Sequence, residues 1–160
     1  LSGFSKILAL PQVKLSWIHV NGPQQLQVMA RQRLEFIADT YLSVNSMIQH
    51  AAAGLFPTQR TIQQEIATRI RTNEEVLRSS RQLQVSPREG GWYAILHLPD
   101  GCSDEECCLA LLKNDSVIIH PGFFYDFPGE NRIVLSLTTP EEDFRRGLAL
   151  LENFVRSRPR

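Results

Sequence analysis

The sequence has few cysteines and no long apolar run, and both absences narrow the class of protein. Its three cysteines, Cys102, Cys107 and Cys108, are too few and too close together for a disulfide framework. This scarcity predicts a reducing, cytoplasmic setting. A run of about 18 apolar residues, the length that crosses a bilayer, is absent, and the first residues predict no signal peptide. His97 and His120 lie at no recognised zinc-ligand spacing, so we predict no metal site.

An excess of either charge is also missing. The chain has 17 basic and 17 acidic side chains, which cancel at neutral pH. The protein is therefore not expected to have an overall electrostatic field that attracts nucleic acid or an anionic membrane, and we predict neither as a partner. Five arginines do concentrate over residues 69–88, but glutamates lie between them, as is typical of a solvated helix face.

Lysine is scarce, with 3 lysines against 14 arginines, and two of the lysines, Lys6 and Lys14, lie within the first seventeen residues. A lysine amine condenses with an aldehyde to form a Schiff base, whereas a guanidinium does not. Lys6 is the candidate for that chemistry, and Lys14 is a candidate cation for a phosphate of the same cofactor. The other interpretation, from composition alone, is that both are solvated surface charges.

The order of the surrounding residues favours the cofactor. Residues 2–6 (Ser-Gly-Phe-Ser-Lys) and 11–17 (Pro-Gln-Val-Lys-Leu-Ser-Trp) resemble the cofactor-lysine signature of the pyridoxal-phosphate-dependent aminotransferases of class I and II, which have fold type I. Three positions depart from the usual pattern. Gly3 stands where many members have a serine that helps to hold the phosphate, and Gln12 and Ser16 each replace a glycine.

Two later segments resemble the same family. Residues 90–95 (Gly-Gly-Trp-Tyr-Ala-Ile) are similar to its double-glycine strand entry. Residues 121–124 (Pro-Gly-Phe-Phe), followed by residues 130–136 (Glu-Asn-Arg-Ile-Val-Leu-Ser), are similar to its Pro-Gly loop and arginine-bearing strand. The three matches occur in the family's order over residues 2–136, so the resemblance covers nearly the whole chain.

The resemblance implies roles for five residues. Lys6 is the catalytic residue, which holds pyridoxal 5′-phosphate (PLP) as a Schiff base and shuttles a proton between the substrate Cα and the cofactor. Ser5 and Lys14 contact the cofactor, and Lys14 steadies its phosphate. Asn45 lies in the region from which such enzymes reach across a dimer contact to the neighbour's phosphate. Arg132 binds the α-carboxylate of the substrate with two parallel hydrogen bonds.

Several alternatives stay open. Asn45 is also typical of a polar break between helices, and Arg132 could pair with Glu130 or with solvent. The same scaffold also performs PLP-dependent lyase or synthase chemistry, and it occurs as the ligand-sensing domain of transcription regulators. Residues of this chain do not separate these functions from transamination between an amino acid and a 2-oxo acid.

The implied fold class is α/β. By resemblance, residues 1–56 are the C-terminal remnant of the large PLP-binding domain, residues 57–86 are a long connecting helix, and residues 87–160 are the small C-terminal α+β domain. The chain is then a fragment, because the groups that contact the pyridine ring and most of the phosphate lie upstream. The isolated fragment is expected to be inactive, and the full-length enzyme is expected to be a cytoplasmic homodimer.

Periodicity and turn residues predict the local structure. Helices are predicted over 24–41, 48–56, 61–83, 103–112 and 141–155, and apolar residues recur at helical spacing in the first, third and last of them. The last two are expected to begin with capping boxes at Ser103 and Thr139. The predicted strands are 14–20, 92–98, 117–120 and 132–137.

Overall fold

The computed structural model describes residues 1–41, 43–129 and 131–157. The chain divides into two compact units, Leu1–Glu65 and Ile66–Arg160, with the boundary inside a long helix, α4 (Gln59–Ser79). The spacing of isoleucines predicted this helix, and the structure confirms it. The helix begins two residues before the predicted start and ends at Ser79 rather than at residue 83.

The first unit opens with a small two-stranded sheet around a single helical turn. Its elements are β1 (Ser2–Gly3), α1 (Phe4–Ile7) and β2 (Ser16–Trp17). The two strands are antiparallel, with Ser2 opposite Trp17. Below them, the rings of Phe4, Trp17 and Phe56 meet edge to face, with centroids between 5.2 and 5.8 Å apart. Such edge contacts add to the stabilisation from apolar burial and hold the turn in place.

Two helices, α2 (Gln24–Thr40) and α3 (Ser46–Leu55), complete the first unit and confirm the predicted ones. α2 follows Pro23, whose fixed φ suits the entry to a helix. No side chain of α2 is buried, and Phe36 is 77% exposed. The helical period of α2 therefore predicted its backbone but not the environment of its apolar side chains.

The second unit is built on a four-stranded antiparallel sheet with the order β3-β4-β6-β5. The strands are β3 (Gln84–Val85), β4 (Tyr93–His97), β5 (His120–Pro121) and β6 (Arg132–Ser136). In the central pair, Tyr93 lies opposite Ser136 and His97 lies opposite Arg132. Ala94 and Leu96 are buried because alternate residues of a strand point to the same face.

The core of the second unit lies between this sheet and the helices α5 (Asp104–Asp115) and α6 (Glu141–Arg156), together with the end of α4. α6 buries Phe144, Leu148, Leu151 and Val155, which recur at the helical spacing that predicted this helix. Burying each of these side chains stabilises the fold by about 1.5–3 kcal/mol. The unit contains both helices and an antiparallel sheet, so it is a small α+β domain.

Some local predictions were wrong. Residues 117–119 are not in a strand, which begins only at His120. Neither predicted capping box forms, because the side chain of Ser103 makes no cap hydrogen bond and Thr139 donates to the Ser136 carbonyl instead. α6 starts after Pro140, which has no amide proton to satisfy.

Candidate active site

Lys6 stands on a helical turn whose backbone is fixed by buried neighbours. Phe4 is fully buried and Leu8 is 1% exposed, so both flanks of the lysine are anchored. The Phe4 amide donates to the Leu15 carbonyl at 2.9 Å. The Phe4 carbonyl accepts from the amides of Leu8 at 3.0 Å and Leu10 at 3.2 Å. Lys6 itself is exposed, so a rigid turn carries an amine at the surface.

Gly3 allows the close approach of β1 and β2. A Cβ at this position would lie 2.9 Å from the Leu15 carbonyl oxygen, closer than real Cβ contacts, and 3.1 Å from the Ser16 Cβ, closer than most of them. A serine at position 3 would therefore collide with the neighbouring strand. In this backbone, glycine therefore fits at position 3 without a shift of the Leu15 carbonyl.

Lys14 lies in the connection between α1 and β2. It follows a 3₁₀ turn at Pro11–Val13 and has a left-handed backbone, with φ of 56°. That conformation costs a residue other than glycine roughly 1–2 kcal/mol. The next residue, Leu15, accepts the Phe4 hydrogen bond, which brings the backbone of Lys14 close to the turn that carries Lys6. The side chain of Lys14 is exposed.

Ser5 and Asn45 have different surroundings. Ser5 is half-buried and directly precedes Lys6 on α1. Asn45 caps α3, because its Oδ1 accepts the amides of Met47 at 2.9 Å and Ile48 at 3.4 Å. The capping contact uses the oxygen and leaves the side-chain nitrogen of Asn45 as the group that could serve a ligand.

Arg132 is the first residue of β6, in the second unit. Its Nη1 donates to the Pro128 carbonyl, and its guanidinium carbon lies 5.9 Å from the centre of the Phe127 ring. The residue is half-buried and makes no ion pair with any carboxylate in the described part of the chain. Glu130, the alternative partner, lies outside the described residues. The structure thus holds this guanidinium against an aromatic ring and a carbonyl.

Gly122 sets the distance between the Pro-Gly loop and Arg132. A Cβ on Gly122 would lie 2.7 Å from the Arg132 carbonyl oxygen and 3.0 Å from its Cβ. We expect Gly122→Ala to lower the free energy of unfolding by about 1–3 kcal/mol, because the backbone of β6 must move. Urea denaturation measures the change. Gly147→Ala on α6, where the nearest atom is 3.8 Å away, is the control and should not destabilise; equal midpoints for both variants would contradict the prediction.

In the second unit, two histidines are hydrogen-bonded to hydroxyl groups and one cysteine has a low reactivity. Burial, followed by the nearby charge of Asp104, raises the pKa of Cys108 to about 12, so this thiol stays protonated and unreactive at neutral pH. His97 contacts the Ser86 hydroxyl at 2.8 Å, and His120 contacts the Tyr125 hydroxyl at 2.7 Å.

Within the described residues, no three His, Cys, Asp or Glu side chains are grouped to hold a metal ion, and no helix is long and apolar enough to span a membrane.

The chain belongs to the family described as aminotransferase class I and II, whose pattern matches residues 1–149. The match includes both the lysine turn and the arginine-bearing strand. The resemblance that the sequence predicted is therefore confirmed.

Individual relatives agree with the family. An LL-diaminopimelate aminotransferase of Dehalococcoides mccartyi is 31% identical over 106 residues, which are 65% of this chain and 27% of the relative. An alanine aminotransferase from Pyrococcus furiosus has a TM-score of 0.78 at 20% identity, over 98% of this chain and 41% of that one. The α-aminoadipate aminotransferase of Thermus thermophilus, complexed with N-(5′-phosphopyridoxyl)-L-leucine, has a TM-score of 0.68 at 20% identity, over 96% and 40%.

The structural matches confirm the α/β fold class of the fold-type I enzymes. The chain spans about a quarter of the length of the curated relatives, 27–28%, and about 40% of the length of the solved chains. It therefore corresponds to only a part of each of these proteins.

Proposed function

We propose that this chain is the C-terminal part of an aminotransferase that uses PLP to move an amino group between an amino acid and a 2-oxo acid. The observation that carries the proposal is Lys6, an exposed amine on a turn fixed by buried Phe4 and Leu8. The family match over residues 1–149 supports it. The share of the relatives that the chain spans supports its being a part of a longer protein.

The residues of the first unit fit PLP. An aldehyde requires a primary amine, and Lys6 presents one from a backbone that does not need to rearrange. A phosphate requires cations or hydrogen-bond donors. Lys14 supplies a charge from a turn bonded to that of Lys6, and Ser5 supplies a hydroxyl. When bound, PLP supplies an electron-accepting ring next to the substrate Cα.

Each proposed site residue then has a distinct task. The Lys6 amine would hold the cofactor covalently until the substrate amine displaces it, and would then carry the proton between the substrate Cα and the cofactor. Lys14 balances the charge of the phosphate. Arg132 would donate two parallel hydrogen bonds to the α-carboxylate, a geometry that suits a planar guanidinium that pairs with no carboxylate among the described residues.

We further propose that the full-length protein is a cytoplasmic homodimer. The three cysteines of this chain are too few and too closely spaced to suggest a disulfide framework, which supports a reducing compartment. Asn45 is the candidate for a contact with the neighbouring subunit's cofactor, through the nitrogen that the α3 cap leaves available. For the substrate, the Dehalococcoides relative makes LL-diaminopimelate the first amino acid to try.

The proposal can be tested by reducing the PLP adduct with borohydride and mapping the modified lysine by mass spectrometry. In the full-length protein we expect the label on Lys6 and not on Lys14 or Lys113. In the isolated chain we expect only weak labelling and no transamination, since the ring and phosphate contacts from upstream residues are missing. A label on another lysine of the full-length protein would overturn the assignment of Lys6. Tight binding with turnover by the isolated chain would overturn its dependence on upstream residues.

A further inference from the structure

Asp104 is a buried carboxylate with an unusual set of partners. Only 2% of its surface is exposed. Its Oδ1 accepts the amide of Glu105 at 2.9 Å, on its own helix. Its Oδ2 accepts the amides of Gly122 at 2.6 Å and Phe123 at 3.4 Å. A carboxylate is tolerated away from water only where donors replace its hydration, and here three backbone amides do so.

The turn that begins at Gly122, which Asp104 holds by hydrogen bonds, is in direct contact with Arg132. Gly122 lies so close to β6 that a Cβ would be 2.7 Å from the Arg132 carbonyl oxygen. The Gly122 carbonyl accepts the amide of Phe127 at 3.4 Å. The Phe127 ring then lies beside the Arg132 guanidinium, and the adjacent Pro128 carbonyl accepts its hydrogen bond. A continuous series of contacts therefore joins the Asp104 carboxylate to the guanidinium.

We propose that Asp104 is a positioning residue for substrate capture, which fixes the Gly122 turn and through it the orientation of Arg132. This inference rests on the proposed function, because it takes Arg132 as the group that binds the α-carboxylate. Asp104 is too enclosed to contact a substrate. Because its oxygens are occupied by amides, it does not compete with the substrate carboxylate for the guanidinium.

An asparagine cannot replace Asp104 in this role. The two carboxylate oxygens serve two elements, α5 through Glu105 and the loop through Gly122. Asparagine has one acceptor oxygen, so its amide nitrogen must face a backbone amide on one of the two sides. Asp104→Asn therefore keeps the size of the side chain but cannot serve both elements, and in either orientation it loses the charge that strengthens the hydrogen bonds to the Gly122 and Phe123 amides.

The test uses the full-length protein with PLP and compares an α-amino acid with an amine that lacks the carboxylate. For Asp104→Asn we expect kcat/KM with the amino acid to fall roughly ten- to a hundredfold, mainly through KM, because a displaced binding group loses productive geometry. Turnover of the amine should not change. Glu105→Gln, which neutralises the exposed neighbouring carboxylate, is the matched control and should leave both substrates unaffected.

A double-mutant cycle separates this inference from the proposed function. In an Arg132→Ala background, Asp104→Asn should cause no further loss. A loss as large in that background as in the wild type, or an equal loss for both substrates, would overturn the positioning role and leave Arg132 as the carboxylate group. If Arg132→Ala alone has no effect, the role of Arg132 fails and the inference fails with it.

Asp104→Glu covers the case in which Asp104→Asn does not fold. It keeps the charge and displaces the oxygens by one methylene. We expect kcat/KM to fall for the amino acid and not for the amine, by less than in Asp104→Asn. An equal fall for both substrates would overturn the inference.

Discussion

Replacing Lys6 with alanine in the full-length protein should remove nearly all turnover, together with the visible absorbance of the lysine-bound cofactor. One amine is proposed to do two tasks, the covalent attachment of PLP and proton transfer at the substrate Cα. Loss of a positioned proton-transfer group alone slows a reaction by about 10²- to 10⁴-fold, and the loss of covalent attachment adds to this. The absorbance spectrum with PLP and the steady-state rate measure the two tasks separately.

The chain offers a close control for this experiment, because it has only two other lysines. Lys113→Ala removes an exposed lysine in the last turn of α5 and should change neither measurement. Lys14→Ala should mainly weaken cofactor binding, since Lys14 is proposed to supply charge rather than a covalent bond. If Lys6→Ala keeps the absorbance and the rate, Lys6 is not the covalent lysine.

The helices of this protein could be predicted because their signal is local and repeated. In α6, Phe144, Leu148, Leu151 and Val155 recur at helical spacing, and all four are buried. Over a helix of that length, the repeated spacing outweighs the secondary-structure preference of any single residue. The same period in α2 predicted a helix but not burial, because burial depends on what packs against the helix.

The short strands and the supporting contacts of the site could not be predicted in this way. β1 and β3 have two residues each, too few for an alternating pattern to be visible. The contact between Asp104 and Gly122 joins residues 18 apart in sequence, and the serine before Asp104 pointed to a capping box instead. The first three residues of α5 are all acidic, so the sequence does not distinguish Asp104 from Glu105 and Glu106.

The proposed site residues came from the order of motifs, not from periodicity. Composition singled out Lys6 and Lys14 only as rare lysines, and the resemblance assigned their roles. The structure adds what the motif does not contain, such as the left-handed backbone of Lys14 and the steric need for Gly3. Both depend on how two strands approach each other, which is a property of the folded turn.

Replacing Arg132 with alanine in the full-length protein should weaken productive capture of every substrate that carries an α-carboxylate. The free energy lost when a buried carboxylate loses its partner is on the order of 2–5 kcal/mol. We therefore expect kcat/KM to fall by roughly 30-fold to several-thousand-fold. Steady-state kinetics with an amino acid and with an amine lacking the carboxylate measure the effect, and the amine should be nearly indifferent to the change.

Arg132→Lys tests whether geometry or charge is responsible. Lysine restores the positive charge but not the two parallel donors, so it should recover only part of the loss. It should also give up the contact of the planar guanidinium with the Phe127 ring, which lies 5.9 Å from the guanidinium carbon. Full recovery by lysine would mean that charge alone binds the substrate. Equal losses for the amine and the amino acid would instead show that Arg132 stabilises β6 or the loop before it, and the carboxylate role would have to be abandoned.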